Sequence, residues 1–243
     1  MQNFNRFMII SVSLLFAWQC IVVYWQLPDY ILPSPWQIAI AINHHKALLL
    51  THTIPTAIEI VLGLISGVLL GCASGLMIAY SRPLARWCLP VLIISQVIPI
   101  FAIAPLIVMW LGFGIASKIF TAMLMIFFPI ASAFYDGLIS TQQGWLDLAQ
   151  TMGAPTWRQF WTIRIPAALP SLASGLRIAS VTAPLGAIVG EWVGSSQGLG
   201  YLMITANARM QIDLMFSSLI MLILISLLMY FSIDKALRKY IWW

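Results

Sequence analysis

Charged residues are scarce in this chain of 243 residues. Only 8% are Asp, Glu, Lys or Arg, while 61% are hydrophobic, against about 25% charged and about 45–50% apolar residues in soluble domains. This composition excludes a soluble globular protein. It also excludes disordered, collagen-like and coiled-coil chains, which need polar, Gly-X-Y or strongly charged sequences. What remains is an all-α, polytopic membrane protein, whose length allows about five to seven spans of about 20 residues each.

Residues that carry catalysis or bind metals are equally few. The three cysteines form no C-x-x-C pair and are interpreted as buried apolar residues. No H-E-x-x-H motif is present, and the histidines, His44, His45 and His52, cluster on one predicted outer loop, so we predict no metal site. The chain also lacks a Gly-Lys pair, which excludes the phosphate-binding motif G-x-x-x-x-G-K-[ST]. If ATP drives this protein, a partner subunit must bind the nucleotide with its Mg²⁺.

One pattern of catalytic type is present between residues 194 and 198. Gly194-Ser195-Ser196-Gln197-Gly198 fits the nucleophile pattern G-x-S-x-G. That pattern requires a sharp turn from a strand into a helix and a base within reach of the serine, and neither is evident in the sequence. Two interpretations stay open: a Gly/Ser turn, or an intramembrane hydrolase that uses Ser195 or Ser196.

Six apolar runs follow one another, at about residues 7–25, 54–80, 87–110, 119–138, 168–189 and 213–233. They predict six transmembrane helices in a single domain, residues 1–243, with a core at 53–233. No small-residue cleavage site follows the first run, so we expect it to be retained as a span. A short amphipathic helix is expected in the first outer loop, near Pro35, and residues 191–211 are expected to form another loop.

Two of the runs carry residues that affect helix packing. The second contains four glycines at a strict four-residue period, Gly63, Gly67, Gly71 and Gly75, which predicts a stripe where another helix approaches closely. The third contains Pro90, Pro99 and Pro105, which predict a broken or kinked helix. Because broken helices present backbone groups at membrane depth, the candidates for a translocation path on this run are Gln96, Pro99 and Trp110.

The distribution of basic residues predicts the orientation. If the N-terminus is cytoplasmic, eight basic residues lie inside and three outside by this count. The inside residues are Arg6, Arg82, Arg86, Arg158, Arg164, Lys235, Arg238 and Lys239, and the outside residues are Lys46, Lys118 and Arg209. The positive-inside rule then places both termini and the 139–167 loop in the cytoplasm. The net charge of +5 is explained by this asymmetry, so no nucleic acid partner is expected.

The longest polar interruption, residues 139–167, carries the strongest motif. Asp147, Ala149, Gly153, Ile163 and Pro166 fit the spacing E-A-A-x3-G-x9-I-x-L-P. This pattern resembles the EAA loop of type I, binding-protein-dependent ABC importers. This chain departs from the pattern at three positions: Asp147 replaces the Glu, Leu148 replaces the first Ala, and Ile165 replaces the Leu before the proline. The match therefore depends mainly on the spacing of the remaining residues.

The resemblance covers about residues 53–230. Segments at 96–99, 104–106 and 110–114, with Ser117-Lys118 and Gly190-Glu191, are similar to the nitrate, sulfonate and taurine branch of these permeases, and a branch for pyrimidine precursors of thiamine is compatible as well. The resemblance implies a bacterial plasma (inner) membrane importer of two permease copies, expected to be identical. It also implies a cytoplasmic ABC ATPase dimer that binds ATP and Mg²⁺, and an extracytoplasmic solute-binding protein.

Local chemistry predicts a helix–turn–helix in the 139–167 loop. A first helix beginning near Asp147 would gain from a carboxylate in its first turn and would end at Gly153-Ala154-Pro155. Thr156 would cap a second helix that Pro166 ends. The aromatic residues expected to be exposed on it are Trp157, Phe160 and Trp161. They form either the surface on which the ATPase docks or an interfacial helix at the lipid headgroups, and the EAA spacing favours docking.

Ionisable groups inside spans are costly and therefore candidates for function. Glu59 lies four residues before Gly63 and could face the translocation path or hydrogen-bond a neighbouring helix. Arg177 could face the path, where it would suit an anionic solute, or it could pair with Asp136 or extend to the headgroups. Glu191 is a further candidate for the path.

The main prediction is the permease subunit of an ABC importer, which performs no bond chemistry itself. Its solute is expected to be a sulfonate- or nitrate-like anion or a pyrimidine precursor of thiamine. The alternative is a gradient-driven secondary transporter or channel. That alternative predicts inverted repeats or a chain of intramembrane carboxylates, and the sequence shows neither.

Overall fold

A computed structural model describes residues 2–241, without the side chains of residues 2–5, 7, 8, 11 and 82. Arg82, one of the basic residues counted for orientation, therefore has its side chain outside the described part. The described residues form helices and no strand, which confirms the all-α prediction. The helices are α1 (Gln2–Tyr24), α2 (Pro35–His44), α3 (Lys46–Tyr80), α4 (Arg82–Val97), α5 (Ile100–Leu111), α6 (Ile115–Ile139), α7 (Gln143–Thr151), α8 (Thr156–Gln159), a π-helical turn (Phe160–Arg164), α9 (Ile165–Gly194), α10 (Leu199–Ala208) and α11 (Ile212–Tyr240).

Within residues 2–241, four helices are long and apolar enough to cross a membrane: α3, α6, the continuous helix Thr156–Gly194, and α11. The bent pair of α4 and α5 makes a fifth candidate. In α1 the apolar stretch is shorter, Val12–Tyr24. The described residues therefore show four candidate spans, or five when the bent pair is counted as one, against the six predicted, because the apolar stretch of α1 is shorter than a span.

The break between α4 and α5 confirms the broken helix predicted from the prolines. The two helix axes differ in direction by 99°, and Pro99 is the N-cap of α5 with φ −62°. Ile98 before it is extended, with φ −78° and ψ 117°, because the proline ring disfavours helical angles at the preceding residue. Pro90 and Pro105 lie inside their helices and end neither of them.

The helices are grouped in two compact units. The first contains the residues up to 55 and residues 197–223. Its buried cluster consists of Leu49, Leu202, Ala206 and Leu214. The expectation of a loop at 191–211 is therefore wrong for its larger part, because Leu202 and Ala206 lie on one face of α10 and contact Leu49 and Leu214.

The expected amphipathic helix in the first unit is present as α2. Ser34 and Gln37 form a capping box: the Ser34 hydroxyl accepts from the Gln37 N–H, and the Gln37 side chain accepts from the Ser34 N–H. His52 was expected in a loop with His44, but it lies within α3. Its Nδ1 accepts a hydrogen bond of 3.0 Å from the Gly198 N–H, and its ring stacks on Tyr201.

The Gly/Ser segment at 194–198 is a turn between two helices. α9 ends at Gly194, Ser195 is extended with φ −120°, and Gly198 has φ +114°, which favours glycine. A nucleophile elbow requires a strand before the serine, and here a helix precedes it. The structure therefore supports the turn and not the intramembrane hydrolase.

The second unit contains residues 56–196 and the described residues from 224 to 241. In it α6 packs closely against both α3 and α9. A Cβ placed on Gly63, Gly67 or Gly71 of α3 would lie only 2.5, 2.9 and 2.7 Å from the Cβ atoms of Ala122, Ile126 and Ile130 on α6. α9 approaches α6 equally closely, since a Cβ on Gly186 or Gly190 of α9 would lie 2.7 and 2.9 Å from the Cα atoms of Ala122 and Lys118.

The predicted packing stripe is thus confirmed for the second unit. Gly75 completes it, because a Cβ there would lie 3.1 Å from the Ala131 carbonyl oxygen. Since lipid tails are as apolar as the side chains, such close backbone approach and van der Waals contact hold membrane helices together.

We expect Gly63→Ala to destabilise the second unit by about 1–3 kcal/mol, because its methyl group would overlap that of Ala122. Adding Ala122→Gly removes the facing methyl group and should restore the close contact. The double variant should then be less stable than the wild type by only about 1 kcal/mol, which is the cost of a glycine within a helix. Thermal unfolding of the detergent-purified single and double variants measures both effects. A double variant less stable than Gly63→Ala would contradict this packing.

Candidate functional site

The segment between α6 and α9 is a helix–turn–helix, as the sequence predicts. α7 ends in a Schellman motif: the Ala154 N–H donates to the Ala149 carbonyl and the Gly153 N–H to the Gln150 carbonyl, each at 2.9 Å. Gly153 has φ +76°. A Cβ on Gly153 would meet no atom within 4 Å. The need for glycine here therefore comes from the backbone angle and not from lack of space.

The first helix begins earlier than predicted. α7 starts at Gln143, so Asp147 lies in the second turn and not at the N-terminus, and the expected charge–dipole benefit in the first turn is wrong. Asp147 instead accepts a hydrogen bond of 3.2 Å from the Gln143 side-chain amide, one turn earlier. Gln142 is the N-cap and makes no side-chain capping hydrogen bond, and the packing that buries Leu146 and Ala149 holds the added first turn in place.

The second helix is also different from the prediction, because Pro166 does not end it. Pro155 is the N-cap of α8, and Thr156 is the first helical residue and makes no capping hydrogen bond. A π-helical turn follows, in which the Ile165 N–H donates to the Phe160 carbonyl. Pro166 lacks an N–H, and the wider π turn just before it accommodates this lost hydrogen bond. The helix then continues to Gly194.

The aromatic residues of this segment point in two directions. Trp157 and Trp161, which are four residues apart, are 59% and 58% exposed. Phe160 is 7% exposed, so its expected exposure is wrong. It packs in a cluster with Phe134, Leu138 and Ala168, which anchors the segment on α6 and α9.

Three exposed apolar residues on the first arm were missed by sequence reasoning, and one of them, Trp145, is 53% exposed. Leu148 and Met152 are 61% and 79% exposed, and they are four residues apart like the two tryptophans. The other motif residues have smaller roles: Ile163 and Pro166 line a surface cavity of about 460 Å³ beside Trp145. We name four of the exposed residues the coupling surface: Leu148, Met152, Trp157 and Trp161.

The spans contain a buried polar cluster in the second unit. Lys118 of α6 donates a hydrogen bond of 2.9 Å to Glu59 Oε1 of α3, and Thr56 of α3 donates one of 2.5 Å to Glu191 Oε1 of α9. The residues Glu59, Lys118 and Glu191 are 1%, 4% and 1% exposed. Of the two alternatives for Glu59, the structure therefore shows a bond to a neighbouring helix.

Arg177 pairs with a residue other than the predicted one. Its Nε lies 2.7 Å from Asp234 Oδ1 on α11, so the predicted pair with Asp136 is wrong. Asp234 also binds Arg238 at 2.7 Å. The sequence missed this partner because the helix was expected to end near residue 233, whereas α11 continues to Tyr240 and brings Asp234 beside α9.

The three candidates on the broken helix are exposed. Gln96, Pro99 and Trp110 all lie on surfaces of α4 and α5 that no other described residue covers, and Trp110 is 68% exposed. Glu59 and Glu191, in contrast, are enclosed by helices of the same chain. Which of these residues meet a solute stays a prediction.

The comparison with known proteins decides the family. The model of the family described as binding-protein-dependent transport system inner membrane component matches residues 60–240. This chain belongs to that family. The permease is therefore the multi-pass membrane subunit of an ABC importer, and the predicted function is confirmed over the gradient-driven alternative. Subunits of this family work with an ATPase and a solute-binding protein.

Curated relatives of the permease agree with this assignment. A probable ABC transporter permease of Haemophilus influenzae is 54% identical over 229 residues, which are 94% of each chain. The formylaminopyrimidine transport permease of Halalkalibacterium halodurans is 38% identical over 207 residues, covering 85% of this chain and 83% of that protein. Permeases named for taurine and aliphatic sulfonate transport match at 29% identity.

A solved structure shows the same fold. The permease aligns with a chain of the methionine ABC transporter MetNI with a TM-score of 0.68 and 22% identity, covering 80% of this chain and 96% of that chain. The fold of a type I importer permease, expected from the EAA resemblance, is thus confirmed.

We expect Gly153→Ala to destabilise the turn by about 1–2 kcal/mol, because any side chain with a Cβ is strained at this positive φ. Gly153→Leu should have a similar effect, since the space is open, and Gly153→Asn a smaller one, since Asn tolerates this conformation. Amide hydrogen exchange of residues 147–160 measures the opening of the turn.

Gly144→Ala is the matched control for the turn, because Gly144 lies in α7 without a positive φ and a Cβ there meets no atom within 4 Å. It should leave exchange unchanged. If Gly153→Asn opens the turn as much as Gly153→Leu, the backbone angle is not the reason for the glycine.

Proposed function

We propose that the coupling surface of this permease docks on the ABC ATPase and transmits its opening and closing to the spans. The observation that carries the proposal is the exposure of two apolar pairs on two helical arms, one of them two tryptophans. Large apolar side chains exposed together on a folded surface favour a protein contact, and tryptophan is enriched among the residues that dominate binding energy. The Schellman turn and the buried Phe160 give this surface a fixed shape.

The proposed assembly has two copies of the permease, an ATPase dimer that binds ATP and Mg²⁺, and an extracytoplasmic binding protein. The orientation with both termini in the cytoplasm is supported by the excess of basic residues in the predicted inside segments. It also places the coupling surface on the side where a cytoplasmic ATPase can reach it.

We further propose that the solute is a small neutral or weakly basic heteroaromatic molecule of the pyrimidine class. The alternative, an anion such as a sulfonate or nitrate, would be favoured by a cationic side chain that is free in the spans. The predicted cationic candidate, Arg177, is engaged by Asp234, and Lys118, which the structure buries in α6, is engaged by Glu59. The relative named for formylaminopyrimidine transport supports the same choice.

For the coupling surface, we expect Trp157→Ala and Trp161→Ala each to weaken ATPase association by about 2 kcal/mol, or about thirtyfold, because each removes a large apolar contact. The measurement is the amount of ATPase that co-purifies with the tagged permease from its own host in mild detergent. Substrate-stimulated ATP hydrolysis in proteoliposomes should fall in parallel.

Trp36→Ala is the matched control for the tryptophans, because Trp36 is 70% exposed on α2, outside the coupling surface. It should retain the ATPase fully. If the variants Trp157→Ala and Trp161→Ala also retain the ATPase, these side chains lie at the lipid headgroups and the docking proposal fails.

The solute proposal predicts a selective uptake defect. Deleting the permease gene in its host should abolish uptake of labelled formylaminopyrimidine and leave taurine uptake unchanged, and a plasmid copy of the wild-type gene should restore it. Loss of taurine uptake with normal pyrimidine uptake would show that an anion is carried, without affecting the coupling surface.

A further inference from the structure

Two cavities lie side by side where the end of α3 meets the beginning of the continuous helix Thr156–Gly194. The first, which we name the polar cavity, has a volume of about 400 Å³ and is lined by Ala79, Tyr80, Thr156, Gln159, Phe160 and Arg164. The second, which we name the apolar cavity, has a volume of about 460 Å³ and is lined by Ala73, Leu76, Met77, Tyr80, Phe160 and Trp161. Because Tyr80 and Phe160 line both cavities, a single molecule can occupy the two together.

The polar cavity contains a cation without an acidic partner. Arg164 is half-buried, and no carboxylate of the described residues forms an ion pair with it. None of the described residues that line the cavity is acidic. The Thr156 hydroxyl makes no capping hydrogen bond, whereas the Gln159 amide donates to the Ala154 carbonyl at 2.7 Å. The guanidinium group and the hydroxyl group therefore offer donors to an anion, and a guanidinium matches the geometry of a phosphate.

The apolar cavity extends along a membrane span. Four of its lining residues belong to α3 and recur at positions i, i+3, i+4 and i+7: Ala73, Leu76, Met77 and Tyr80. This spacing places them on one face of the helix. They cover about 10 Å of its length and end at Tyr80, the last residue of the candidate span. The apolar cavity thus runs from the end of the span toward the membrane interior, where hydrocarbon chains lie.

The two cavities together match the chemistry of a phospholipid, which joins a phosphate group to apolar chains. Basic pockets between membrane helices at the cytoplasmic side bind anionic lipid headgroups, and tyrosine and tryptophan are enriched at the membrane boundary. A carboxylate of a docked protein would use the polar cavity alone and leave the apolar cavity unexplained. Without an acidic lining residue, the ammonium group of a zwitterionic headgroup would also find no partner.

We propose that these cavities bind one phospholipid of net negative charge, with its phosphate at Arg164 and an acyl chain against Leu76 and Met77. The bound lipid contacts α3 and the beginning of the helix Thr156–Gly194 at the same time, and it lies beside Trp161 of the coupling surface. The proposal depends neither on the identity of the solute nor on the docking of the ATPase.

Native mass spectrometry of the detergent-purified permease, titrated with phosphatidylglycerol, tests the headgroup contact. We expect one tightly bound lipid per wild-type chain. Arg164→Gln should weaken its binding about tenfold to a hundredfold, because charge-assisted hydrogen bonds to the phosphate are lost. Arg158→Gln is the matched control, since Arg158 is exposed on the same helix and lines neither cavity. It should leave the affinity unchanged.

The variant Ala73→Phe tests the acyl chain without altering Arg164. Ala73 is exposed, so the larger side chain can be accommodated without repacking the core, and it would fill part of the apolar cavity. We expect it to weaken phosphatidylglycerol binding about tenfold. Glycerophosphoglycerol, the same headgroup without acyl chains, and inorganic phosphate should not displace the lipid at equal concentration.

Four results would overturn the proposal. Phosphatidylglycerol binding that is unchanged in both Arg164→Gln and Ala73→Phe would exclude these cavities as its site. Displacement by glycerophosphoglycerol or inorganic phosphate would show a phosphate site without a lipid, and equally tight phosphatidylcholine would show no selection for net charge. If the complex with the ATPase lacks the lipid and Arg164→Gln releases the ATPase, the ATPase occupies the polar cavity. Retention of the lipid in that complex supports the proposal.

Discussion

The close approach of three backbones is the constraint on which the second unit depends. Lipid offers no water to solvate backbone or charged groups, and it gives apolar side chains little reason to prefer each other over the membrane. The glycines of α3 and α9 that face α6 bring the helices close enough for direct contact. The same closeness lets Lys118 reach Glu59, so the packing and the polar cluster are two results of one arrangement.

The continuous helix Thr156–Gly194 connects the two features that matter most for function. It begins with the exposed tryptophans and carries Glu191 near its other end, 39 residues in all, or about 58 Å at 1.5 Å per residue. This helix is fixed to α6 by close glycine packing and by Phe160. In the proposed docking at Trp157 and Trp161, no loop intervenes between the ATPase contact and the far end of this helix.

Features set by neighbouring residues could be predicted, and features set by tertiary packing could not. The glycine stripe, the turn at Gly153 and the break at Pro99 depend on local spacing or on a single residue type, and the sequence contains that information. The buried side of Phe160 depends on a π turn that rotates the helix, and the Arg177 partner depends on how far α11 continues. α10 was missed because its apolar face, in a glycine-rich stretch, becomes apparent only against Leu49.

The pairing of the ionised groups has a consequence for how a solute is recognised. Because Lys118 and Arg177 bind carboxylates of their own chain, specificity in the proposed path cannot come from either of these charges. The break between α4 and α5 offers another source, since a helix that ends at Val97 leaves backbone carbonyl groups without intrahelical donors, and one that begins at Ile100 leaves free N–H groups. Such groups include both donors and acceptors, as a neutral heteroaromatic ring requires. The exposed Gln96 and Trp110 on the same pair add an amide and an aromatic face to this surface.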